Sequence, residues 1–151
     1  MFTDGSVNTL SKVGYGAYMM VHTIDTLNPD VFTKLFTDTS STKLELQTLL
    51  WALNELKEVD CAITVFTDSQ NIIGLKDRRE RFEKNNYYTS KNKIIANAEL
   101  YQAFYKITDK FECTFVKVKG HKLSKDKDKI DRLFTFVDRA SREELRKSAY
   151  M

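Results

Sequence analysis

The feature that most constrains the fold is an apolar, β-branched run at residues 61–66 that stops at an acidic residue. The run Cys-Ala-Ile-Thr-Val-Phe is typical of a buried β-strand, and Thr67, Asp68, Ser69 and Gln70 follow it directly. A carboxylate at the end of a buried strand is costly unless a partner or a cation neutralises it. Asp is also a favoured N-cap residue, so Asp68 alone is equally consistent with capping a following helix.

The other elements predict a single domain of the α/β class over residues 1–151. Short strands at 2–4, 13–22 and 31–36, joined by short links, are typical of an antiparallel meander. After the meander the predicted elements are a helix from about 40 to 56, the strand at 61–66, a short helix at 69–75, a basic segment at 76–93 read as a protruding loop with helical pieces, a helix at 94–109, a strand at 111–118 and a helix at 130–147. We therefore expect one mixed five-stranded sheet, with three antiparallel strands and then two parallel strands, flanked by helices.

Charge is distributed unevenly along a chain whose formal net charge is +3. Residues 76–93 hold seven basic and three acidic residues, and residues 117–129 hold six basic and two acidic residues. Such stretches suggest a polyanionic partner, although solvated lysine-rich loops have the same composition. Because the sequence shows neither a long apolar run nor a signal-like N-terminus, we expect a cytoplasmic protein without a membrane partner. We interpret Cys61 and Cys113 as small core residues.

Two further acids are predicted to lie near Asp68. Asp4 ends the first predicted strand, and Glu45 lies in the first turn of the first long helix. If the first and fourth strands are adjacent and parallel, Asp4 and Asp68 share a sheet edge of the kind at which open α/β sheets bind ligands. Clustered carboxylates repel one another unless a cation neutralises them, and their hard oxygens favour Mg²⁺ or Mn²⁺.

Seven short motifs occur in order along nearly the whole chain. They are Thr3-Asp4-Gly5-Ser6, Gly14-Tyr15-Gly16-Ala17, Leu44-Glu45-Leu46-Gln47, Thr67-Asp68-Ser69-Gln70, Asn97-Ala98-Glu99-Leu100-Tyr101-Gln102, Lys119-Gly120-His121 and Ile130-Asp131-Arg132-Leu133. Together they resemble type 1 ribonuclease H, including the ribonuclease H domain of retroviral reverse transcriptases. The resemblance implies the ribonuclease H-like fold and an endonuclease that hydrolyses the RNA strand of RNA/DNA hybrids.

The resemblance also implies a metal centre. Asp4, Glu45 and Asp68 carry over directly as ligands of two Mg²⁺ ions, for which Mn²⁺ can substitute, and no small-molecule cofactor is expected. Two-metal catalysis would give 5′-phosphate and 3′-hydroxyl ends. We expect a monomer whose partner is the hybrid. The alternatives are a related nuclease that acts on DNA or structured RNA, and a non-catalytic hybrid-binding module.

The fourth ligand requires a choice among acids near the last helix, namely Asp126, Asp128, Asp131 and Asp138. In the family this acid lies ten residues after the histidine and opens the last helix, which favours Asp131 after His121. Asp138 lies two helical turns further on, about 10 Å away, so we expect it to pair with Arg142 instead. The resemblance gives His121 a role as a proton shuttle or in product release, whereas we assign no catalytic role to His22.

The resemblance places substrate contacts around the acids and in the basic segment. The family reads the 2′-hydroxyls of the RNA strand with backbone groups and small polar side chains near the metal ligands. Here Ser41 and Thr42 replace its paired asparagines, and residues 76–93 match its basic protrusion. The implied substrate contacts are Gly5, Ser6, Ser41, Thr42, Gln70, Arg78, Arg79, Arg81 and Asn97.

Overall fold

The computed structural model describes residues 1–56, 62–119 and 128–149. Within these residues the elements are, in chain order, β1 (Phe2–Asn8), β2 (Val13–Met19), β3 (Phe32–Phe36), α1 (Ser41–Glu55), β4 (Ile63–Thr67), α2 (Gln70–Ile73), α3 (Leu75–Lys84), α4 (Ala98–Thr108), β5 (Cys113–Lys117) and α5 (Lys129–Ser148). No helix in this described part of the chain is both long and apolar enough to cross a membrane.

The five strands form one mixed sheet in the order β3-β2-β1-β4-β5. The pairs β1–β2 and β2–β3 are antiparallel, whereas β1–β4 and β4–β5 are parallel. The predicted fold is therefore confirmed. The first strand differs in one respect, because β1 continues to Asn8 and Asp4 lies within it rather than at its end. Gly5 pairs with Gly16 inside the ladder, so it does not turn the chain out of the sheet.

The glycines of β1 and β2 allow α1 to lie close to the sheet. A Cβ atom added to Gly5 would lie 2.9 Å from Leu44 Cδ2, and one added to Gly16 would lie only 2.1 Å from Thr48 Oγ1. Any side chain at Gly16 would therefore collide with the helix. As a result, the first half of α1, which carries Glu45, is held against β1 and β2.

Apolar side chains cover both faces of the sheet. One cluster packs α1 and α4 against the sheet and includes the buried residues Leu46, Leu49, Leu53, Val65 and Phe104. The other packs α5 against the sheet and includes Phe2, Met19, Leu133, Phe134 and Val137. Full burial of one such side chain contributes about 1.5–3 kcal/mol. These contacts fix α1 and α5 on opposite faces of β1.

The basic segment is more regular than the sequence indicated. Residues 75–84 form the continuous helix α3, so the helical part predicted for this segment is one regular helix of ten residues. The next helix begins at Ala98 rather than near residue 94, because Ile94 forms an isolated bridge with Tyr88 and Asn97 adopts a left-handed conformation with φ of 63°. Cys113 is half-buried in β5, and Cys61 lies outside the described residues.

Candidate active site

The strand register places Asp4 beside Asp68. Phe2 of β1 pairs with Phe66 of β4 in parallel, and the Phe66 N–H donates to the Met1 carbonyl at 2.8 Å. Asp4 lies two residues after Phe2 within β1, and Asp68 lies two residues after Phe66, just past the end of β4, so the parallel register brings the two carboxyl groups side by side. This adjacency was predicted from the sequence.

The surroundings of Asp4 disfavour its charged form. Burial and the neighbouring charge of Asp68 raise the pKa of Asp4 from 3.8 to about 8. A hydrogen bond from the Gly5 N–H partly offsets this increase, whereas a hydrogen bond with the carboxyl group of Asp138 adds to it. The raised pKa of Asp4 therefore reflects both its burial and the acids around it.

Glu45 reaches this edge from α1. Ser40 caps that helix by accepting from the Lys43 N–H at 3.3 Å, which starts the helix one turn before Glu45. The Ser69 hydroxyl donates to Glu45 Oε2 at 2.6 Å. Burial is the main reason that the pKa of Glu45 is raised; the Ser69 bond lowers this pKa and the Asp68 charge raises it.

Ser69, not Asp68, caps the helix after β4. The Ser69 hydroxyl accepts from the Ile72 N–H at 3.2 Å while it donates to Glu45. The sequence left open a capping role for Asp68, and the structure assigns that role to its neighbour. Asp68 is exposed, and it faces the acid cluster as a charge felt by both Asp4 and Glu45. Sequence reasoning missed Ser69, although an Asp-Ser pair before a helix is a recognisable capping signal.

The acid of α5 that contacts Asp4 is Asp138 rather than Asp131. Alternate residues of β1 face α5: Phe2 packs in the same cluster as Val137, and the Ser6 and Ser141 hydroxyls are 3.0 Å apart. Asp4 lies between Phe2 and Ser6, and it meets Asp138. From here on, the acid cluster denotes Asp4, Glu45, Asp68 and Asp138.

Asp131 occupies a different place on α5. It is buried in the first turn, only 8% exposed, and its N–H donates to the capping Asp128 Oδ1 at 2.9 Å. It lies two turns, about 10 Å, from Asp138. The spacing from His121 selected Asp131, but α5 runs past β1 so that its closest acid to Asp4 comes two turns after the helix start. His121 and Asp126 lie outside the described residues.

Asp138 also makes the ion pair that the sequence predicted. Arg142 Nε lies 3.1 Å from Asp138 Oδ1, one helical turn away. The pairing was expected to keep Asp138 apart from the site, whereas Asp138 contacts both Arg142 and Asp4. Arg142 therefore fixes the direction of this carboxylate and supplies one positive charge at the rim of the acid cluster.

The donor set of the acid cluster suits a hard divalent cation. Among the described residues no three acidic, histidine or cysteine side chains are already grouped to hold an ion. The cluster nevertheless offers only oxygen ligands, and a cation bound there would relieve the repulsion between acids that helps to raise the pKa of Asp4. Carboxylate oxygens of this kind fit Mg²⁺ or Mn²⁺.

The small polar residues of the predicted substrate site lie around the acid cluster. Gly5 and Ser6 follow Asp4 on β1, and exposed Ser41 and Thr42 lie in the first turn of α1. Gln70 opens α2, and its Oε1 accepts from Lys117 Nζ at 2.8 Å. Lys117 pairs with Thr67 in the ladder and was missed by sequence reasoning, although its place at the end of the fifth predicted strand could have indicated it.

The three arginines of α3 differ in their surroundings. Arg78 donates to the carbonyl and side-chain oxygens of Asn71 at 2.6 and 2.7 Å. Arg79 makes two bonds to Asp109, at 2.6 and 2.9 Å, and one to Glu83 at 2.8 Å. Arg81 is exposed and has no ion pair with the described residues. Arg78 and Arg79 are therefore already bonded within the protein, whereas contact of the three arginines with substrate stays a prediction. Asn97, half-buried, precedes α4.

The sequence matches known ribonucleases H over most of its length. The RNase H family model matches residues 1–137. Ribonuclease H of Clostridium botulinum is 30% identical over 136 residues, covering 88% of this chain and 90% of that protein. Ribonuclease HI of Vibrio parahaemolyticus is 31% identical over 134 residues, covering 88% of this chain and 84% of that protein.

Solved structures show the same fold at much lower identity. The solution structure of the PFV RNase H domain aligns with a TM-score of 0.71 at 12% identity, covering 94% of this chain and 90% of that domain. The protease-reverse transcriptase of prototype foamy virus aligns with a TM-score of 0.76 at 12% identity, covering 94% of this chain and 20% of that one. Together with the family match, the acid cluster on this fold leads to one conclusion: the chain belongs to the ribonuclease H family of endoribonucleases.

Proposed function

We propose that this enzyme cleaves the RNA strand of RNA/DNA hybrids with divalent metal ions held by Asp4, Glu45, Asp68 and Asp138. The observation that carries the proposal is the hydrogen bond between Asp4 and Asp138 beside Asp68. Asp4 thus faces acids from a second strand and from a distant helix, and the repulsion between them favours binding of cations. A module that only bound nucleic acid would gain nothing from such a concentration of negative charge.

The residues of the chain hold the carboxylates in place. When bound, two Mg²⁺ ions would activate the attacking water and stabilise the leaving 3′ oxygen, which gives 5′-phosphate and 3′-hydroxyl ends. Asp4 is fixed within a ladder, Glu45 is oriented by Ser69, and Asp138 is oriented by Arg142. Carboxylates on strands and helices with fixed partners are positioned more exactly than groups on loops.

The surroundings of the acid cluster suit a substrate that carries 2′-hydroxyls. A protein tells RNA from DNA by these hydroxyls, which both donate and accept hydrogen bonds. The Gln70 amide and the Ser41 and Thr42 hydroxyls supply groups of this kind near the acids, and Lys117 and Arg81 supply exposed positive charge for phosphates. His121 would transfer a proton or assist product release. Because one chain supplies all four acids, we propose that the enzyme acts as a monomer.

A panel of labelled substrates tests the proposal. Wild type should cut only the RNA strand of an RNA/DNA hybrid, with Mg²⁺ or Mn²⁺ and not with EDTA, and should leave DNA duplex and RNA duplex intact. Asp68→Asn should be inactive, whereas Asp30→Asn, which changes an exposed acid of a loop, should match wild type. Cleavage that survives Asp68→Asn would contradict the mechanism, and equal cutting of duplex DNA would contradict the substrate.

A further inference from the structure

A buried hydroxyl group, that of Thr48, lies next to the acid cluster. Thr48 is on α1, three residues after Glu45, and is only 1% exposed. Its Oγ1 is fully buried and makes no hydrogen bond with the described residues. Buried hydroxyl groups nearly always have a hydrogen-bond partner, either a protein atom or an ordered water, because leaving one unpaired is costly.

The Thr48 hydroxyl borders a small polar cavity. The cavity measures about 10 Å³ and is lined by Thr3, Asp4, Glu45, Thr48, Thr67 and Asp68. Space of about this size accepts the centre of one water molecule, provided that two to four polar groups surround it. Three threonines and three acids supply such groups, so the cavity meets both the size and the polarity that a buried water needs.

The sheet is shaped to accept Thr48 at this place. A Cβ atom at Gly16 would lie only 2.1 Å from the Thr48 Oγ1, so the absence of a side chain there makes room for Thr48. Gly16 pairs with Gly5, and the next residue of β2, Ala17, pairs with Asp4. Valine has nearly the same shape as threonine and would fill the same space. Packing alone therefore does not explain why a hydroxyl group stands here.

We propose that Thr48 holds one water molecule in this cavity and, through it, hydrogen-bonds the carboxylates of Glu45 and Asp4. Thr48 is then a positioning residue for the reaction, an inference that rests on the proposed function. Ser69 already holds Oε2 of Glu45, and the water would hold its other oxygen. The Thr67 hydroxyl accepts from the Ser69 N–H at 3.1 Å and can still donate its own hydrogen to the same water.

Two substitutions of Thr48 distinguish the role of its hydroxyl group from the role of its side-chain shape. Thr48→Val should lower kcat for hybrid cleavage by about 10-fold or more, as loss of a group that orients metal ligands does. The KM for the hybrid should stay unchanged, and the Mg²⁺ concentration that gives half-maximal rate should rise. Thr48→Ser, which keeps the hydroxyl, should restore kcat and the Mg²⁺ dependence. Thermal unfolding in EDTA checks that both variants fold.

Two measurements test the inference without relying on enzymatic activity. Calorimetric titration with Mn²⁺ should show weaker binding for Thr48→Val than for Thr48→Ser, and a high-resolution crystal structure should show the water in wild type and not in Thr48→Val. Wild-type kcat and Mn²⁺ affinity in Thr48→Val, or a serine variant no better than the valine variant, would overturn the inference. A wild type that binds Mn²⁺ and holds the water but cuts no hybrid would overturn the proposed function instead.

Discussion

The acid cluster and helix α3 are both highly charged, but the acid cluster holds like charges close together, whereas α3 pairs opposite charges. At the acid cluster, like charges are held together, and burial and Asp68 raise the pKa of Asp4 to about 8. On α3, the charges are matched with each other and with neighbours, as when Arg79 bonds both Glu83 and Asp109. The repulsion between the acids has no structural benefit, whereas the pairing of Arg79 ties α3 to the end of α4.

This difference teaches where a charge count is informative. Seven basic residues at 76–93 suggested a surface that grips phosphates, but Arg78 and Arg79 already have partners within the protein. The acids are fewer and are spread along the sequence, yet they meet at one edge of the sheet. Like charges that the fold holds close together indicate a functional site better than a high number of charged residues in one segment does.

The largest effect is expected from Asp4→Asn, which removes an acid from the cluster. Because loss of a group that only orients metal ligands costs about 10–100-fold, loss of a proposed ligand should lower kcat/KM for the hybrid by more than about 100-fold. The measurement is steady-state cleavage of a labelled hybrid in Mg²⁺, with Asp30→Asn as the matched control. Activity within tenfold of wild type would remove Asp4 from the site.

A smaller loss is expected from Ser69→Ala, which leaves all four acids in place. The change removes the 2.6 Å hydrogen bond to Glu45 and the cap of α2. Activity should fall by about 10–100-fold, and stability by about 1 kcal/mol. Ser69→Thr, which keeps the hydroxyl, serves as the control and should retain most of both. If Ser69→Ala lost stability but kept its activity, Ser69 would be only a helix cap.

The pH dependence of stability tests the repulsion itself. Asp4 in the folded protein has a pKa of about 8, above the ordinary 3.8, so between these values the folded state keeps a proton that the unfolded chain has lost. This contribution is complete below about pH 4 and is lost as the pH rises to about 8. In EDTA, the free energy of unfolding from urea titrations should therefore fall over this range, and less steeply for Asp4→Asn. Parallel profiles for the two proteins would show that Asp4 is not the group responsible.

The smallest effects separate two arginines of α3. Arg79→Ala should lower stability only slightly, because the ion pairs that it breaks are exposed, and it should change the salt dependence of hybrid binding little. Arg81→Ala should leave stability unchanged and reduce the slope of log affinity against log salt by about 0.9, the value for one phosphate contact. Fluorescence anisotropy at several salt concentrations measures the slope. A lower salt slope for Arg79→Ala together with an unchanged slope for Arg81→Ala would assign the phosphate contact to Arg79 instead.

The sequence predicted the sheet and most of the acid cluster for identifiable reasons. The run at 61–66 and the meander before it have strong local patterns, and parallel pairing of the first and fourth strands then places Asp4 beside Asp68. Glu45 followed from its place about one turn inside a helix whose apolar face was clear. Only short-range patterns and one assumption about strand pairing were needed for these three acids.

Sequence spacing could not show which acid of α5 lies opposite Asp4, because the position of α5 along β1 depends on tertiary packing. Phe2 packs beside Val137 and Ser6 reaches Ser141, so the residue opposite Asp4 must lie between them on α5. Asp138 satisfies that condition and Asp131 does not. The partners of Arg78 and Arg79 were equally hidden, since Asn71 and Asp109 become neighbours only when α3 packs. A helical period across residues 75–84, had it been clear, would have indicated α3.

A comparison of Asp138→Asn with Asp131→Asn tests the assignment of the acid cluster most directly. Both variants make the same chemical change on the same helix, two turns apart, and are assayed for hybrid cleavage in Mg²⁺ and for Mn²⁺ binding. Asp138→Asn should lose more than about 100-fold in activity and bind Mn²⁺ weakly, whereas Asp131→Asn should stay active and lose only about 0.3–1 kcal/mol of stability as a charge in the first turn of a helix is removed. An active Asp138→Asn beside an inactive, folded Asp131→Asn would contradict the assignment.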